Sequence, residues 1–409
     1  MVKATISFLL IAIPFLSFAQ GWNRIADFSG TARDDGAVFT INNKAYCLTG
    51  MQVGFSCTRD GDVLDASTNT WGNMSSLPSG NEREYVSAFS YGGYGYVFGG
   101  LVCGGHALND LWQYNPVNDS WLSMAPLPSK GRCACSSFVI NGKAYLIAGL
   151  DSASTVWNEV WEYDIGNNLW HQKNNLSFGG FWRGCGFAID TSGYVCYGMR
   201  AGGSFQRSIY RYSVSTDTWT VIPAVTLGPR FYAGAAVVTQ KACIYGGIDS
   251  AGVLHNDLLL FDPLLSSVTF LPGLPSPAIP RKGMMAFALN NRLYITTGID
   301  STVTRINETW QNLSPTGISE LVDPEHSCAV YPNPSSTSFT IRVMEGIFLW
   351  KLRIYEAGGK MIFSQNMNGT SAQFNVGEMQ FQPGVYYYQA GTEMKIIGSG
   401  KLVILKPGN

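Results

Sequence analysis

Short runs in which apolar and polar residues alternate fill the chain from Trp22 to Leu313. "SSFVIN" and "GKAYLIAG" are two of them, separated by Asn141-Gly142, a dipeptide suited to the tight turn of a hairpin. "NEVWEYD" and "NNLWHQK" follow as a third and a fourth, with Asp, Gly and Asn residues between them. The alternation predicts four antiparallel strands in about 50 residues, and the unit recurs. Trp22, Trp71, Trp121, Trp170, Trp219 and Phe270 each stand 49 to 51 residues after the last. Aligned on Gly50, Gly100, Gly149, Gly198, Gly247 and Gly298, the copies carry Tyr46, Tyr96, Tyr145, Tyr194, Cys243 and Tyr294 four residues earlier. Phe39, Phe89, Phe138, Phe187, Ala236 and Phe287 stand eleven earlier. Seventeen earlier stand Arg33, Arg83, Arg132, Arg230 and Arg281, while the fourth copy has Phe181 there and its arginine displaced to Arg183.

One such sheet has two apolar faces, and copies packed radially about an axis bury both. The expectation is therefore an all-β, six-bladed propeller over residues 20–313. Trp310 arrives only 40 residues after Phe270. Aligned on "NDLW" at Asn109, "NEVW" at Asn158, "NDLL" at Asn256 and "NETW" at Asn307, it is a third-strand residue. The sixth blade then lacks a fourth strand, which "GWNRIA" from Gly21 supplies from the other end of the domain.

The arginine, aromatic strand, tyrosine, glycine and "NDLWQYNP" order resembles kelch repeats. The double glycine of that pattern is complete at Gly99-Gly100 and Gly246-Gly247; Thr49, Ala148, Tyr197 and Thr297 replace its first glycine elsewhere. Tyr197 is expected to weaken its blade most, because close backbone approach is expected there. The resemblance implies a binding scaffold. It also leaves an alternative, since kelch-type propellers include a copper radical oxidase and a sialic acid mutarotase; this alternative is a carbohydrate-active enzyme.

Residues 314–328 lack periodicity and read as a linker. From 329 to 409, "SFTIRV", "LWKLRIYEA", "KMIFSQ", "GVYYYQA" and "KLVILK" predict a small β-sandwich. "VYPNPSSTSFTI", "LRIYEAGGKMIF" and the closing strand resemble the type A C-terminal sorting domain of the Bacteroidetes type IX secretion system. That resemblance implies that Tyr331, Pro332, Asn333 and Pro334 open the signal, that Gly358, Gly359 and Lys360 form its middle turn, and that the last strand ends at Lys406. "GTEMKIIGSG" reads as an insertion before that strand. The implied partner is the type IX machinery and the implied destination the outer surface or the medium; a retained adhesion module is the other reading of the sandwich.

The N-terminal end agrees with export. Lys3 precedes "ISFLLIAIPFLSF", and Ser17 and Ala19 form a cleavage site, so residues 1–19 read as a signal peptide and no membrane span is expected in the mature chain. Only 13% of residues are charged and the net charge is −1, against about 25% charged in an average chain. Nothing here offers the basic footprint that nucleic acid requires; the expected ligand is a protein or a glycan. The nine cysteines and four histidines show no metal-ligand spacing, and no metal or cofactor is expected. Cys57 and Cys103, in corresponding loops of successive copies, are a candidate disulfide.

Loops joining second to third strands, and those joining one blade to the next, open on one face, where variable sequence on a rigid scaffold favours recognition. The binding-face candidates are Arg33, Arg83, Arg132, Arg183, Arg230 and Arg281, with Phe178, Phe181, Trp182, Phe231 and Tyr232, which break the repeat. The alternative for the arginines is a brace between blades, and for the aromatics a packed loop. No catalytic cluster is legible, although Asp34, Asp35, Glu82 and Glu84 are carboxylates that a propeller funnel can bring together.

Overall fold

The computed structural model describes residues 21–312 except 224, and from 328 onward all but 344–348, 357–359, 380, 392–395 and 407–409. The signal peptide, the linker up to residue 327, Gly358 and Gly359 lie outside the described residues. The chain divides into two compact units at Ile318.

The first unit is six antiparallel sheets, here blades I to VI in chain order, five of them four-stranded and blade I five-stranded because the two-residue strand Arg33–Asp34 joins it. Blade II is typical: Ser87–Tyr91, Tyr94–Phe98, Leu111–Asn115 and Ser120–Met124 run from the axis outward. The first strands, beginning at Ala37, Ser87, Ser136, Cys185, Gly234 and Met285, neighbour one another in a closed circle. Their residues alternate between buried and half-buried, as in Ala37–Ile41, because one face lines the axis. Second strands such as Lys143–Ile147 are buried almost throughout, since adjoining blades cover both faces.

Inside each blade the repeated phenylalanine and tyrosine are cross-strand partners. Phe39 stacks on Tyr46, Phe89 on Tyr96, Phe138 on Tyr145, Phe187 on Tyr194 and Phe287 on Tyr294, with centroids 5.0–5.5 Å apart. In blade V the pair is Ala236 and Cys243, both members being small together.

Blade VI comprises Met285–Leu289, Arg292–Thr296 and Thr309–Asn312, and its outer strand is Trp22–Arg24. Trp22 pairs with Asn312 and Arg24 with Trp310. The second unit is a sandwich of a three-stranded and a four-stranded sheet around Phe339, Ile341, Trp350, Leu352, Ile354 and Leu402. Its last strand, Ile396–Ile404, pairs along Gly384–Gly391. "IIGSG" is thus part of that strand and not an insertion, and the strand ends two residues before Lys406.

Candidate functional site at the axial mouth

The repeat arginines do not face the mouth. Arg33, Arg83, Arg132, Arg230 and Arg281 are buried, and each reaches the acid 27 residues later in its own blade. The partners are Asp60, Asp110, Glu159, Asp257 and Glu308, the contacts 2.5–2.7 Å. A buried guanidinium without a carboxylate is costly, so the acid of "NDLW", "NEVW" and "NETW" belongs with the arginine. In blade IV both change: Phe181 stands for the arginine and Ser208 for the acid. Phe181 fills the vacated volume, 1% exposed, and is no surface aromatic. Phe178 likewise packs inward, its ring 3.5 Å from that of Tyr210.

The arginines brace their own blades, and the backbone beside them joins one blade to the next. The amides of Gly50, Gly100, Gly149, Gly198, Gly247 and Gly298 donate to the carbonyls of Arg83, Arg132, Phe181, Arg230, Arg281 and Arg33. The last bond closes the circle. These glycines have φ of +88° to +107°, outside the range of other residues. Tyr197, one position before Gly198, is accommodated: its ring is buried in the blade IV core with the Arg230 guanidinium 5.3 Å from its centroid.

The two residues after each repeat arginine form the site. Asp35, Tyr85, Ala134, Arg183, Tyr232 and Gly283 occupy the second position, so Arg183 is not a displaced repeat arginine. All six have φ of +53° to +62°. Each amide donates to the preceding carbonyl of the same set, Asp35 to Gly283, Tyr85 to Asp35, and so on to Gly283 to Tyr232, at 2.8–3.2 Å. A closed ring of six backbone hydrogen bonds thus surrounds the axis, held in a conformation costing about 1–2 kcal/mol for each non-glycine residue. The first positions, Asp34, Glu84, Cys133, Trp182, Phe231 and Lys282, are tied by bridges to the second-strand ends at Met51, Leu101, Leu150, Met199, Ile248 and Ile299.

The ring's side chains close the channel. Arg183 lies 4.1 Å from the Tyr85 centroid and 3.6 Å from that of Tyr232, whose hydroxyls meet at 3.4 Å. Across the axis is Asp35, whose pKa burial raises well above the carboxylate range against the pull of Arg183. Burial also pushes Glu84 up, to about 7, again against Arg183.

Above this plug a cleft of about 300 Å³ opens, lined by Asp34, Asp35, Phe55, Tyr85, Tyr232, Lys282 and Arg305 among others. Its volume is at the lower end of small-molecule sites, about 300–1,000 Å³. Arg305 donates to Asp34 at 2.6 Å and sits 5.4 Å from the Phe55 centroid. The mouth is lopsided. Blades IV and V contribute an aromatic side, Trp182, Phe205, Phe231 and Tyr232, in edge and tilted contact. Blades I, II and VI contribute the charged side, with Phe55, Val53 and Val303 exposed at its loop tips.

Of the residues proposed from sequence, Trp182, Arg183, Phe231 and Tyr232 gather at the mouth. Asp34, Asp35 and Glu84 do too, whereas Glu82 pairs with Arg59 away from it. Tyr85, Phe55, Phe205, Lys282 and Arg305 were not anticipated. For Tyr85 and Lys282 a signal was present, because the first position following each repeat arginine differs in every copy and the second repeats only as Tyr85 and Tyr232. Cys57 and Cys103 are joined by a disulfide, Cα atoms 5.6 Å apart, at the rim between blades I and II.

A family model described as "Attractin/LZTR1 beta-propeller" matches residues 45–306. The chain belongs to the Attractin/LZTR1 β-propeller family. Kelch domain-containing protein 3 of Bos taurus and of Homo sapiens are each 32% identical to this family member over 115 residues, 26% of this chain and 27% of theirs. The match therefore spans about a quarter of those relatives. The solved structure of YjhT superposes with a TM-score of 0.59 at 16% identity, over 70% of this chain and 96% of that one, a likeness of fold.

Residues 329–405 match a secretion system C-terminal sorting domain. This propeller is accordingly a client of the type IX export machinery, directed to the outer surface or medium of a Bacteroidetes-like cell. In that domain Asn333 joins the start to the end: its Nδ2 donates to the Lys401 carbonyl at 2.6 Å and its Oδ1 accepts from the Val403 amide at 2.8 Å. Tyr331 and Lys360 are exposed. Among the described residues no helix is long and apolar enough to cross a membrane.

Proposed function

We propose that this exported propeller is a binding module that takes a glycan or a protein segment at its axial mouth. The observation that carries the reading is the mixed lining of the cleft over the plug. Phe55, Tyr85 and Tyr232 there suit the apolar face of a sugar ring or a hydrophobic side chain. Asp34, Asp35, Lys282 and Arg305 suit hydroxyls or backbone groups. The hydrogen-bonded ring beneath supplies the rigidity that keeps such a site preorganised.

Glycan and protein arrays probed with the mature chain test it, alongside Tyr232→Ala and Phe55→Ala. A partner held at micromolar strength or better and weakened at least tenfold by either change is expected. No partner, or one indifferent to both changes, overturns the reading.

One observation favours a second reading, a carbohydrate-active enzyme. Asp35 lines the cleft with Tyr85 and Tyr232, and burial raises its pKa well above the carboxylate range, the direction that a proton donor to a sugar oxygen requires. Turnover of a free sugar, lost in Asp35→Asn, would select that reading.

A further inference from the structure

In the propeller six cysteines are free and two are joined. The free thiols sit in the blades or just beneath the mouth; burial pushes those of Cys133, Cys135 and Cys243 up to about 12. At neutral pH they are inert. The Cys57–Cys103 pair differs in place and surroundings. Both residues are half-buried at the rim, and beside them Gly54 and Gly104 look onto open space. A carboxylate oxygen of Glu84 lies within 4.8 Å of both sulfur atoms.

Glu84 is 4% exposed, and its Oε2 has no hydrogen-bond partner. An acceptor buried in this way forfeits its hydration without compensation and calls for an explanation. The groups around it are the Arg183 guanidinium, Asp34, Asp35, Arg305 and Tyr85, whose side chain reaches the carboxyl. The disulfide sulfurs carry no proton to offer it. Two thiols in their place would.

We propose that Cys57–Cys103 is a thiol–disulfide exchange site on the rim of the mouth, with Glu84 as its proton donor and acceptor. The co-reactant is an external dithiol, small or protein-borne. Its thiolate attacks one of the two sulfurs; the S–S bond breaks and one cysteine is held in a mixed disulfide. The other leaves as a thiolate and takes the proton of the Glu84 carboxyl, which then accepts a hydrogen bond from the new S–H. The second thiol of the reductant resolves the mixed disulfide, and the released cysteine and Glu84 take protons from solvent. The sum is one protein disulfide plus one dithiol giving two protein thiols and one oxidised dithiol. In the oxidising direction the Glu84 carboxylate removes the proton of the attacking cysteine.

The staple holds the turn of blade I to the loop of blade II. Phe55, two residues from Cys57, lines the cleft, so the redox state sets how that wall is held. This last link rests on the mouth as a binding site; the exchange chemistry does not.

The test follows reduction of the full mature chain by dithiothreitol, with alkylation and intact mass, between about pH 5.5 and 8.5. Alkylation is expected at Cys57 and Cys103 with the six other propeller thiols protected, Cys328 of the C-terminal unit being counted separately by peptide mass. Glu84→Gln is expected to slow the reaction by roughly tenfold at the acid end, the gap closing as pH rises through the titration of the carboxyl. Equal rates and profiles in the two proteins would overturn the proposal, as would alkylation of the buried thiols in step with the pair. Should the variant not fold, the infrared difference between reduced and oxidised native protein must contain a carboxyl signal; its absence is the same refutation. Ligand binding that fails in both redox states would count against the mouth reading alone.

Discussion

Arg230 and Asp257 show how a repeated residue is constrained. The guanidinium is buried, while the carboxylate retains some contact with water. Removing the acid alone leaves a buried charge unpaired, and Asp257→Ser is expected to cost about 3–5 kcal/mol. The double variant Arg230→Phe/Asp257→Ser copies the Phe181 and Ser208 of blade IV and is expected to recover much of that loss, as a denaturant double-mutant cycle would read. Ala148 has φ of +61° where two other blades have glycine. Ala148→Gly is expected to raise stability by about 0.5–1 kcal/mol, and an unchanged denaturation midpoint would show the strain to be absent. Glu84 carries a pH signature. Burial raises its folded pKa to about 7 from a reference of 4.5, so the folded state binds the proton more tightly than the unfolded one. Stability from this group is complete below about pH 4.5 and declines as pH rises to about 7. Melting of Glu84→Gln across that window is expected to gain on the native protein, by on the order of a few kcal/mol in all.

At the level of the strand, the outer tryptophans explain how blades are held at the rim. Trp71 Nε1 donates to the Ala26 carbonyl, Trp121 to Ser75 and Trp170 to Ala125, each reaching the neighbouring blade. Ala26 lies just after Trp22–Arg24, so the segment that completes blade VI also receives blade I. Trp22 is itself buried against Tyr245 of blade V, centroids 6.3 Å apart. Losing Trp22–Ala26 therefore removes one strand pairing and contacts to two further blades. Trp22→Ala alone is expected to cost about 3–5 kcal/mol, and the deletion to lower the melting temperature further; an unchanged melt would show that blade VI is stable on three strands. In the C-terminal unit Asn333 plays a comparable part, fastening the first turn to the last strand. Asn333→Ala is expected to leave the propeller intact but reduce its appearance outside the cell, as fractionation would show.

For the whole molecule, blade number and order are written in local chemistry. Alternation sets strands, Asn-Gly and Asp turns set hairpins, and a period near 50 residues sets how many sheets stack, because each must bury two apolar faces. That much was legible in the sequence, together with the sorting domain, whose motifs are contiguous. The mouth was only half legible. Trp182, Arg183, Phe231 and Tyr232 drew notice by breaking the repeat, yet the regular arginines drew equal notice and lie buried in their blades. Spacing shows that a residue recurs, but not which way it points. The closed hydrogen-bonded ring, the Arg183 guanidinium held between Tyr85 and Tyr232, the Arg305–Asp34 pair and the carboxylate beside Cys57–Cys103 join residues from different blades. Their sequence separations reach 271 residues for Arg305 and Asp34. Such contacts depend on the angle at which successive sheets pack and on the closure of the circle. The sequence by itself determined the blades, their number and the export signal, since these rest on short-range periodicity. Only the tertiary structure decided which side chains meet at the axis, because the axis exists only once all six sheets have closed around it.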